Sequence, residues 1–386
     1  MFWGDGVKRV AIDLTWVRHN KVGGTESCVR NLLNGFSALD KSDISFVLLV
    51  TKDNQESFKE YSKFNIFDIV ICDTVSESQF KRLIWQNTKM GKLLKKLEIN
   101  VCLEPIYSIP FLGRRNIKYI VTIHDLQAIH YPEYFNVFRN VWMRVSWWYS
   151  VHFSEIIVAI SQYVKDDILK HFKVKSDKVK VIYDAIDIDT SEINDKTEHN
   201  TLKKYNLIKK EFYYTVSSLL PHKNLTTLIS AISQLKESNS DSFKNLVISG
   251  IGGKARPELE RLIYQNKLTD NIIFTDFISD LERNILYKNC KIFLFPSVFE
   301  GFGMPPVEAL AFGTLVLTTD KTSIPEVTQG LCGYVHDPLS SDEWVKEIVN
   351  LSESQNVISE NEMKKIAKMY SSDLIAQKYI DLINGI

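Results

Sequence analysis

Residues 295–313, Phe-Pro-Ser-Val-Phe-Glu-Gly-Phe-Gly-Met-Pro-Pro-Val-Glu-Ala-Leu-Ala-Phe-Gly, carry the reading from which the fold follows. A short apolar strand, Ile292–Phe295, runs into a turn with two glycines and two prolines, and a helix is expected from about Pro306. Gly301 and Gly303 permit backbone conformations closed to other residues and let a ligand approach the main chain. Pro305 and Pro306 suit a helix start, where a missing N–H costs nothing. The N–H groups and positive dipole end of such a start favour an anion such as phosphate. Glu300 and Glu308 bracket the turn with seven residues between them, and carboxylates accept hydrogen bonds from sugar hydroxyls. Phosphate and hydroxyls bound together imply a nucleotide-sugar. The spacing of the two acids, taken alone, fits equally a strand–turn–helix corner with solvated glutamates.

The 386 residues suffice for two domains with substantial cores, and 45% hydrophobic with 24% charged residues is ordinary for a globular chain. Net charge is zero, but residues 1–185 carry +6 and the remainder −6, which predicts different partners for two lobes. Five scattered cysteines show no metal-ligand spacing and imply a reducing compartment. The start, Met-Phe-Trp-Gly-Asp-Gly, lacks the regions of a signal peptide, and no apolar run is long enough to span a bilayer. A cytoplasmic protein is expected. Apolar runs at 7–14, 44–50, 67–71, 100–103, 119–123, 156–160 and 179–182 alternate with helical patterns. The second half repeats this at 212–216, 246–249, 272–274, 292–295, 315–317 and 333–335. The alternation predicts α/β architecture with parallel sheets covered on both faces and ligands at the carboxyl ends of the strands. A polar stretch at 187–201 reads as a linker, and 373–386 has a helical period.

The whole string Phe-Pro-Ser-x-x-Glu-Gly-Phe-Gly-x-Pro-x-x-Glu-Ala resembles the retaining glycosyltransferases of family 4. That resemblance implies the GT-B fold: two doubly wound, Rossmann-like parallel-sheet domains with a cleft between them. It implies an acceptor-binding domain over residues 1–185, a nucleotide-sugar-binding domain over 186–368, and a last helix, 369–386, that packs back on the first domain. It also makes Glu300 the acid facing the sugar and Glu308 the ribose-binding acid. Gly303, Met304 and Pro305 become part of the diphosphate site.

Further along the chain, Lys21-Val-Gly-Gly-Thr-Glu-Ser follows the first strand, so Gly23 and Gly24 sit where a loop enters a helix. A plain Gly-Gly turn fits as well; the family's glycine-rich loop after its first strand implies diphosphate contact. His124-Asp125-Leu126 ends the run 119–123, either as a capping histidine or as a hydroxyl-binding one with Asp125 fixing its tautomer. The resemblance favours contact of His124 with the transferred sugar. Ser161 reads as an N-cap. Ser217-Ser-Leu-Leu-Pro-His-Lys-Asn-Leu225 resembles the family's loop in which a lysine, here Lys223, neutralises the leaving diphosphate. Ser217 replaces the usual glycine, Ser218 stands where many members place a diphosphate-binding arginine, and His222 replaces a common arginine. Asp276-Phe277-Ile278-Ser279 resembles the segment bordering the nucleobase.

Asp187-Ile-Asp189 mimics a metal motif of another transferase fold but lies in the interdomain turn, so no metal and no cofactor are expected. Gly250-Ile-Gly-Gly-Lys254 lacks P-loop spacing, and nothing suggests nucleic acid. Residues 80–97, from Phe80 to Leu97, combine an apolar period with Lys81, Arg82, Lys89, Lys92, Lys95 and Lys96. They read either as a solvated basic helix or as a peripheral contact with the inner face of a membrane, beside the aromatics of 138–153. The expected activity is metal-independent transfer of a hexosyl group, with retention, from a nucleotide-diphosphate sugar to a glycan or polyprenyl-diphosphate-linked acceptor. Bacterial surface-polysaccharide synthesis is the setting the resemblance implies. A GT-B nucleotide-sugar epimerase and a non-catalytic partner in glycan assembly are the alternatives.

Overall fold

The computed structural model describes residues 7–19, 23–39, 43–113, 116–250 and 256–386. Lys21 of the glycine motif, the first six residues and most of the Gly250–Lys254 string therefore lie outside the described residues. Two compact units emerge, one of residues 1–186 with 370–386 and one of 187–369.

Unit 1 is built on seven parallel strands: β1 Lys8–Asp13, β2 Ile44–Thr51, β3 Phe67–Cys72, β4 Val101–Glu104, β5 Lys118–Ile123, β6 Ile156–Ala159 and β7 Val179–Val181. Their order is β3-β2-β1-β4-β5-β6-β7. Every residue of β2 is buried, which is why it reads as a largely apolar run rather than an alternating one. Unit 2 repeats the plan with β8 Phe212–Val216, β9 Asn245–Ser249, β10 Ile272–Asp276, β11 Ile292–Phe295, β12 Leu315–Thr319 and β13 Gly333–Val335, ordered β10-β9-β8-β11-β12-β13. Each sheet reverses its strand order once, between β1 and β4 and between β8 and β11. Outside the carboxyl ends of such a strand pair the flanking loops diverge and leave a crevice.

The last helix, Ser372–Asn384, joins the core of unit 1 through Ile375, Ala376, Tyr379, Ile380 and Ile383. Its backbone comes so close to the helix Gly24–Ser37 that a Cβ on Gly35 would lie 2.1 Å from the Ser372 carbonyl oxygen. Glycine in mid-helix costs about 1 kcal/mol against alanine, and here it permits the contact.

Two local expectations are corrected. The stretch 187–201 is not wholly linker: a helix, Asp195–Lys204, begins inside it. Asn194 accepts from the Lys196 and Thr197 amides while the Thr197 hydroxyl accepts from the Asn194 amide, a reciprocal cap that nucleates a polar helix. Residues 80–97 are not one regular amphipathic helix. Helices Gln79–Trp85 and Gly91–Lys96 are joined through a π turn, Gln86–Met90. The wider turn shifts the inward face to Trp85, Gln86, Met90 and Leu94 and leaves Phe80 73% exposed.

Candidate active site

In unit 2 the reversal point is furnished by the loops after β8 and β11. Pro221–Lys223 form one tight helical turn, and Asn224 follows in the left-handed region (φ 52°). The Asn224 side-chain amide donates to the Pro338 carbonyl at 2.7 Å and holds the turn down. Lys223 is thereby aimed at Glu300: its Nζ donates to Oε1 at 2.5 Å, with both side chains mostly buried (20% and 14% exposed). The ammonium also lies 5.7 Å from the Phe295 ring centroid.

The turn carrying Glu300 is clipped from β12's side. The Glu300 amide donates to Thr322 Oγ1 at 3.1 Å, and the Ser323 hydroxyl donates to the carbonyls of Glu300 and Phe302. Gly303 has φ 96°, a value that favours glycine, and caps the helix Met304–Ala311. The helix thus starts at Met304, two residues earlier than Pro306, with the prolines second and third in it. Neither proline can donate, so the main-chain donors at this start are Gly303 and Met304. Glu300 packs over the cap: a Cβ on Gly303 would sit 3.9 Å from its Cβ and Cγ.

Glu308 is buried on the same helix but has different partners from Glu300. The Tyr287 hydroxyl donates to its Oε2 at 2.9 Å, and Arg283 Nε lies 3.7 Å from the same oxygen. Burial and the charge of Glu308 push the Tyr287 phenol well up, and Glu308 holds the Arg283 guanidinium firmly protonated. Arg283 was missed in the sequence. Its signal is the spacing Arg283…Tyr287, one turn apart on the helix Asp280–Asn289, whose Ser279/Glu282 capping box is also legible.

His222 is 5% exposed, and its imidazole is pushed down to about 4, by burial first and then by the Lys223 charge. It is neutral at pH 7, so it does not make up for the missing arginine charge. Ser218 lines a groove of about 600 Å³ with Pro221, Asn224, Glu258 and Arg261, whose walls do not include Lys223, Glu300 or Glu308. Asp276 adopts φ 56° and pairs with Arg256. Phe277 after it is 76% exposed, and Ile278 is half-buried.

In unit 1, Gly23 (φ 70°) caps the helix Gly24–Ser37, and a Cβ on Gly23 or Gly24 would meet nothing within 4 Å. His124 follows β5, with Nε2 2.9 Å from the Pro105 carbonyl. Its carboxylate neighbour is Asp184, which shares with it and Cys28 a cluster of donor atoms within 4.8 Å of one another. Burial pushes the Asp184 carboxyl up, opposed by His124. Asp125 Oδ1 accepts from the Gln127 amide at 2.8 Å. These three side chains line a cavity of about 20 Å³. Ser161 caps its helix as expected, accepting from the Val164 amide.

The family model for glycosyltransferase family 4 matches residues 22–190, and that for glycosyl transferases group 1 matches 198–370. The O-antigen chain mannosyltransferase RfbU of Salmonella typhimurium is 28% identical over 295 residues, 75% of this chain and 76% of that protein. The serotype-specific mannosyltransferase WbdA of Escherichia coli is 32% identical over 176 residues, 45% of this chain but only 22% of that longer protein. Among solved structures, Anabaena Alr3699/HepE in complex with UDP-glucose superposes with a TM-score of 0.76 at 17% identity, covering 98% of this chain and 100% of that one. WaaG, a glycosyltransferase involved in lipopolysaccharide biosynthesis, gives 0.71 at 15%, with coverage of 98% and 100%. With two sheets reversed at β1/β4 and β8/β11, and family models spanning both units, the chain belongs to the family-4 glycosyltransferases of GT-B fold.

Proposed function

We propose that the chain transfers a hexosyl group from a nucleoside-diphosphate sugar to a hydroxyl of a glycan or polyprenyl-diphosphate-linked acceptor, with retention and without a metal. The observation that carries this reading is the 2.5 Å contact between Lys223 and Glu300 beside the glycine-capped helix start. Each group neutralises the other. A donor replaces both partners: its diphosphate meets the ammonium and the amides of Gly303 and Met304, and its sugar hydroxyls donate to Glu300. The bond from anomeric carbon to phosphate oxygen breaks with its electron pair leaving on the diphosphate. The acceptor oxygen bonds to the same face of that carbon, and its proton passes to the departing phosphate oxygen. Stabilising that developing charge is the work of Lys223. Glu308, oriented by Arg283 and Tyr287, takes the ribose, and Phe277 borders the base.

Two relatives that are mannosyltransferases favour mannose as the sugar and a surface polysaccharide as the product. Unit 1 takes the acceptor. No helix among the described residues is long and apolar enough to cross a membrane. Unit 1 instead exposes Val137, Phe138, Val141, Val145 and Trp148 along one side of the helix Val137–Phe153. Phe111 and Leu112 tie this helix to the basic segment: Tyr149 donates to the Phe111 carbonyl, and both amides donate to Asn87. An apolar stripe next to exposed lysines 81, 89, 92, 95 and 96 suits a peripheral contact with an anionic bilayer.

The test is transfer from GDP-mannose and UDP-glucose to a lipid-linked acceptor, after thermal-shift ranking of the donors. Lys223→Ala should lower turnover by roughly 10²–10³-fold. Glu300→Gln should lower turnover comparably while binding of the nucleoside diphosphate holds or strengthens, since the ammonium loses its internal competitor. Near-normal turnover in either variant removes that residue from the reaction. An altered donor with no glycosylated acceptor would make the chain an epimerase.

A further inference from the structure

Away from the elements that carry transfer, three side chains of unit 1 converge without a role. His130 closes the short helix Gln127–His130, and Asp167 and His171 lie one turn apart on the helix Gln162–His171. His130 Nε2 is 2.7 Å from Asp167 Oδ2, and His171 Nδ1 is 3.1 Å from Asp167 Oδ1. One donor atom from each residue falls within 4.8 Å of the other two. The two rings stand edge to face, centroids 5.5 Å apart at 86°. The Asp167 carboxylate is 6% exposed, whereas the imidazoles are about a quarter exposed (27% and 25%).

We infer that His130, Asp167 and His171 form a binding site for a divalent transition ion of the zinc class. Two imidazole nitrogens and one carboxylate oxygen are a donor set that zinc accepts, with a water completing the shell. The buried carboxylate forms the floor and the half-open rings form the mouth, so an ion has a way in and meets its one anionic ligand at the bottom. For bonds of about 2.0–2.1 Å, neighbouring ligands of a tetrahedral ion stand about 3.3 Å apart. His130 and His171 now sit 2.7 and 3.1 Å from different oxygens of the Asp167 carboxylate, so a ring shift of roughly half an ångström and a small turn of the carboxylate admit one. Asp167 and His171 already share one helix face through their i, i+4 spacing, so only the short helix that carries His130 has to yield. The main-chain carbonyl of Asp167 also lies 2.9 Å from His171 Nδ1, so that nitrogen exchanges this contact for the ion on binding. An ion here ties the segment that follows β5 and His124 to the helix after β6. Its role is to brace that segment, not to take part in transfer.

The full chain, free of any histidine tag and stripped with EDTA, is titrated with Zn²⁺ alone by calorimetry and with Co²⁺ alone by visible absorption. One ion per chain should bind, with the d–d spectrum of a low-coordinate Co²⁺ and a raised melting temperature. Both imidazoles are about a quarter exposed, so His171→Gln is expected to keep the metal-free melting temperature and circular dichroism of the parent while affinity drops more than ~10-fold. His130→Gln should behave likewise, and Cys28→Ser should bind as the parent does. The inference fails if the folded parent takes up no stoichiometric ion, or if His171→Gln and His130→Gln both bind undiminished. It fails equally if Cys28→Ser abolishes binding, which assigns the ion to the cluster around His124.

Discussion

Replacing Arg283 by methionine tests whether Glu308, the acid proposed to take the ribose, is held in place by the pair seen in unit 2. Glu308 is 10% exposed at its side chain, with Tyr287 donating at 2.9 Å and Arg283 at 3.7 Å as its countercharge. Removing one partner of a fully buried ion pair costs about 3–5 kcal/mol, because the other charge is left uncompensated. Two features reduce that here. The guanidinium is 26% exposed and not in direct contact, and the Tyr287 hydrogen bond survives the substitution. We therefore expect Arg283→Met to cost about 2–3 kcal/mol. Glu308→Gln keeps an acceptor for Tyr287 and leaves Arg283 its 2.6 Å pair with Asp280, so it should cost about 1 kcal/mol. If the orphaned carboxylate is the cause, the double variant should be no worse than Arg283→Met, giving a coupling of at least ~1 kcal/mol. Hydrogen exchange along a urea series, followed in peptides from 280–311, reads the stability of this unit without assuming that both units unfold together. Additive losses within ~0.5 kcal/mol would refute the reasoning, since neighbours acting through one charge cannot be independent. Nucleotide affinity should fall in both single variants, because an unanchored or neutral residue 308 no longer presents an oriented acceptor.

Glu104, fully buried at the end of β4, has its carboxyl pushed well up, by burial first and then by Asp13 beside it. A raised native value means the folded chain holds a proton that the unfolded chain releases near pH 4.3. Its contribution to stability is complete below that pH and is lost as pH rises toward the native value. Melting temperature should therefore decline from pH 5 to pH 8 in the parent. Glu104→Gln should flatten that slope and match or exceed the parent at pH 8; an unchanged slope contradicts the assignment. Flotation with vesicles rich in anionic lipid should recover the parent. Replacing lysines 89, 92, 95 and 96 by glutamine should abolish recovery, and lysine-independent flotation would dismiss the membrane contact.

What could be read from the chain depended on whether the cause was local. All thirteen strands among the described residues stand within two residues of the apolar runs, because a strand buried on both faces leaves a largely apolar mark such as Ile44–Thr51. The glycine at 303 is legible for the same reason: a positive φ at a helix cap has few other solutions. The helix Asp195–Lys204 escaped because it buries almost nothing and is held by its cap and by ion pairs from Glu198 to Lys209 and Lys288. The π turn escaped because one extra residue in a turn shifts the inward face without changing composition. Contacts between distant segments were hidden in principle. Asp184 beside His124 is sixty residues away, and the sequence offered the adjacent Asp125 instead.

The same distinction bears on how a site poor in cations can select an intact donor. Between Ser217 and Leu225 the one cationic group at neutral pH is Lys223, since the buried His222 stays neutral. In the proposed reaction that ammonium is already satisfied by Glu300 at 2.5 Å, so any anion entering must first break a mostly buried pair. A nucleoside diphosphate meets the lysine but leaves the carboxylate without a donor, and an unpaired charge in such a place is costly. A free sugar meets the carboxylate but leaves the lysine. Only a molecule that offers diphosphate and hydroxyls in one piece satisfies both halves at once. Departure of the sugar removes that advantage and lets Lys223 and Glu300 re-pair, which favours release of the spent nucleotide. On this view Ser218 in place of an arginine is part of the selectivity: a second fixed cation would hold the product diphosphate as firmly as the substrate.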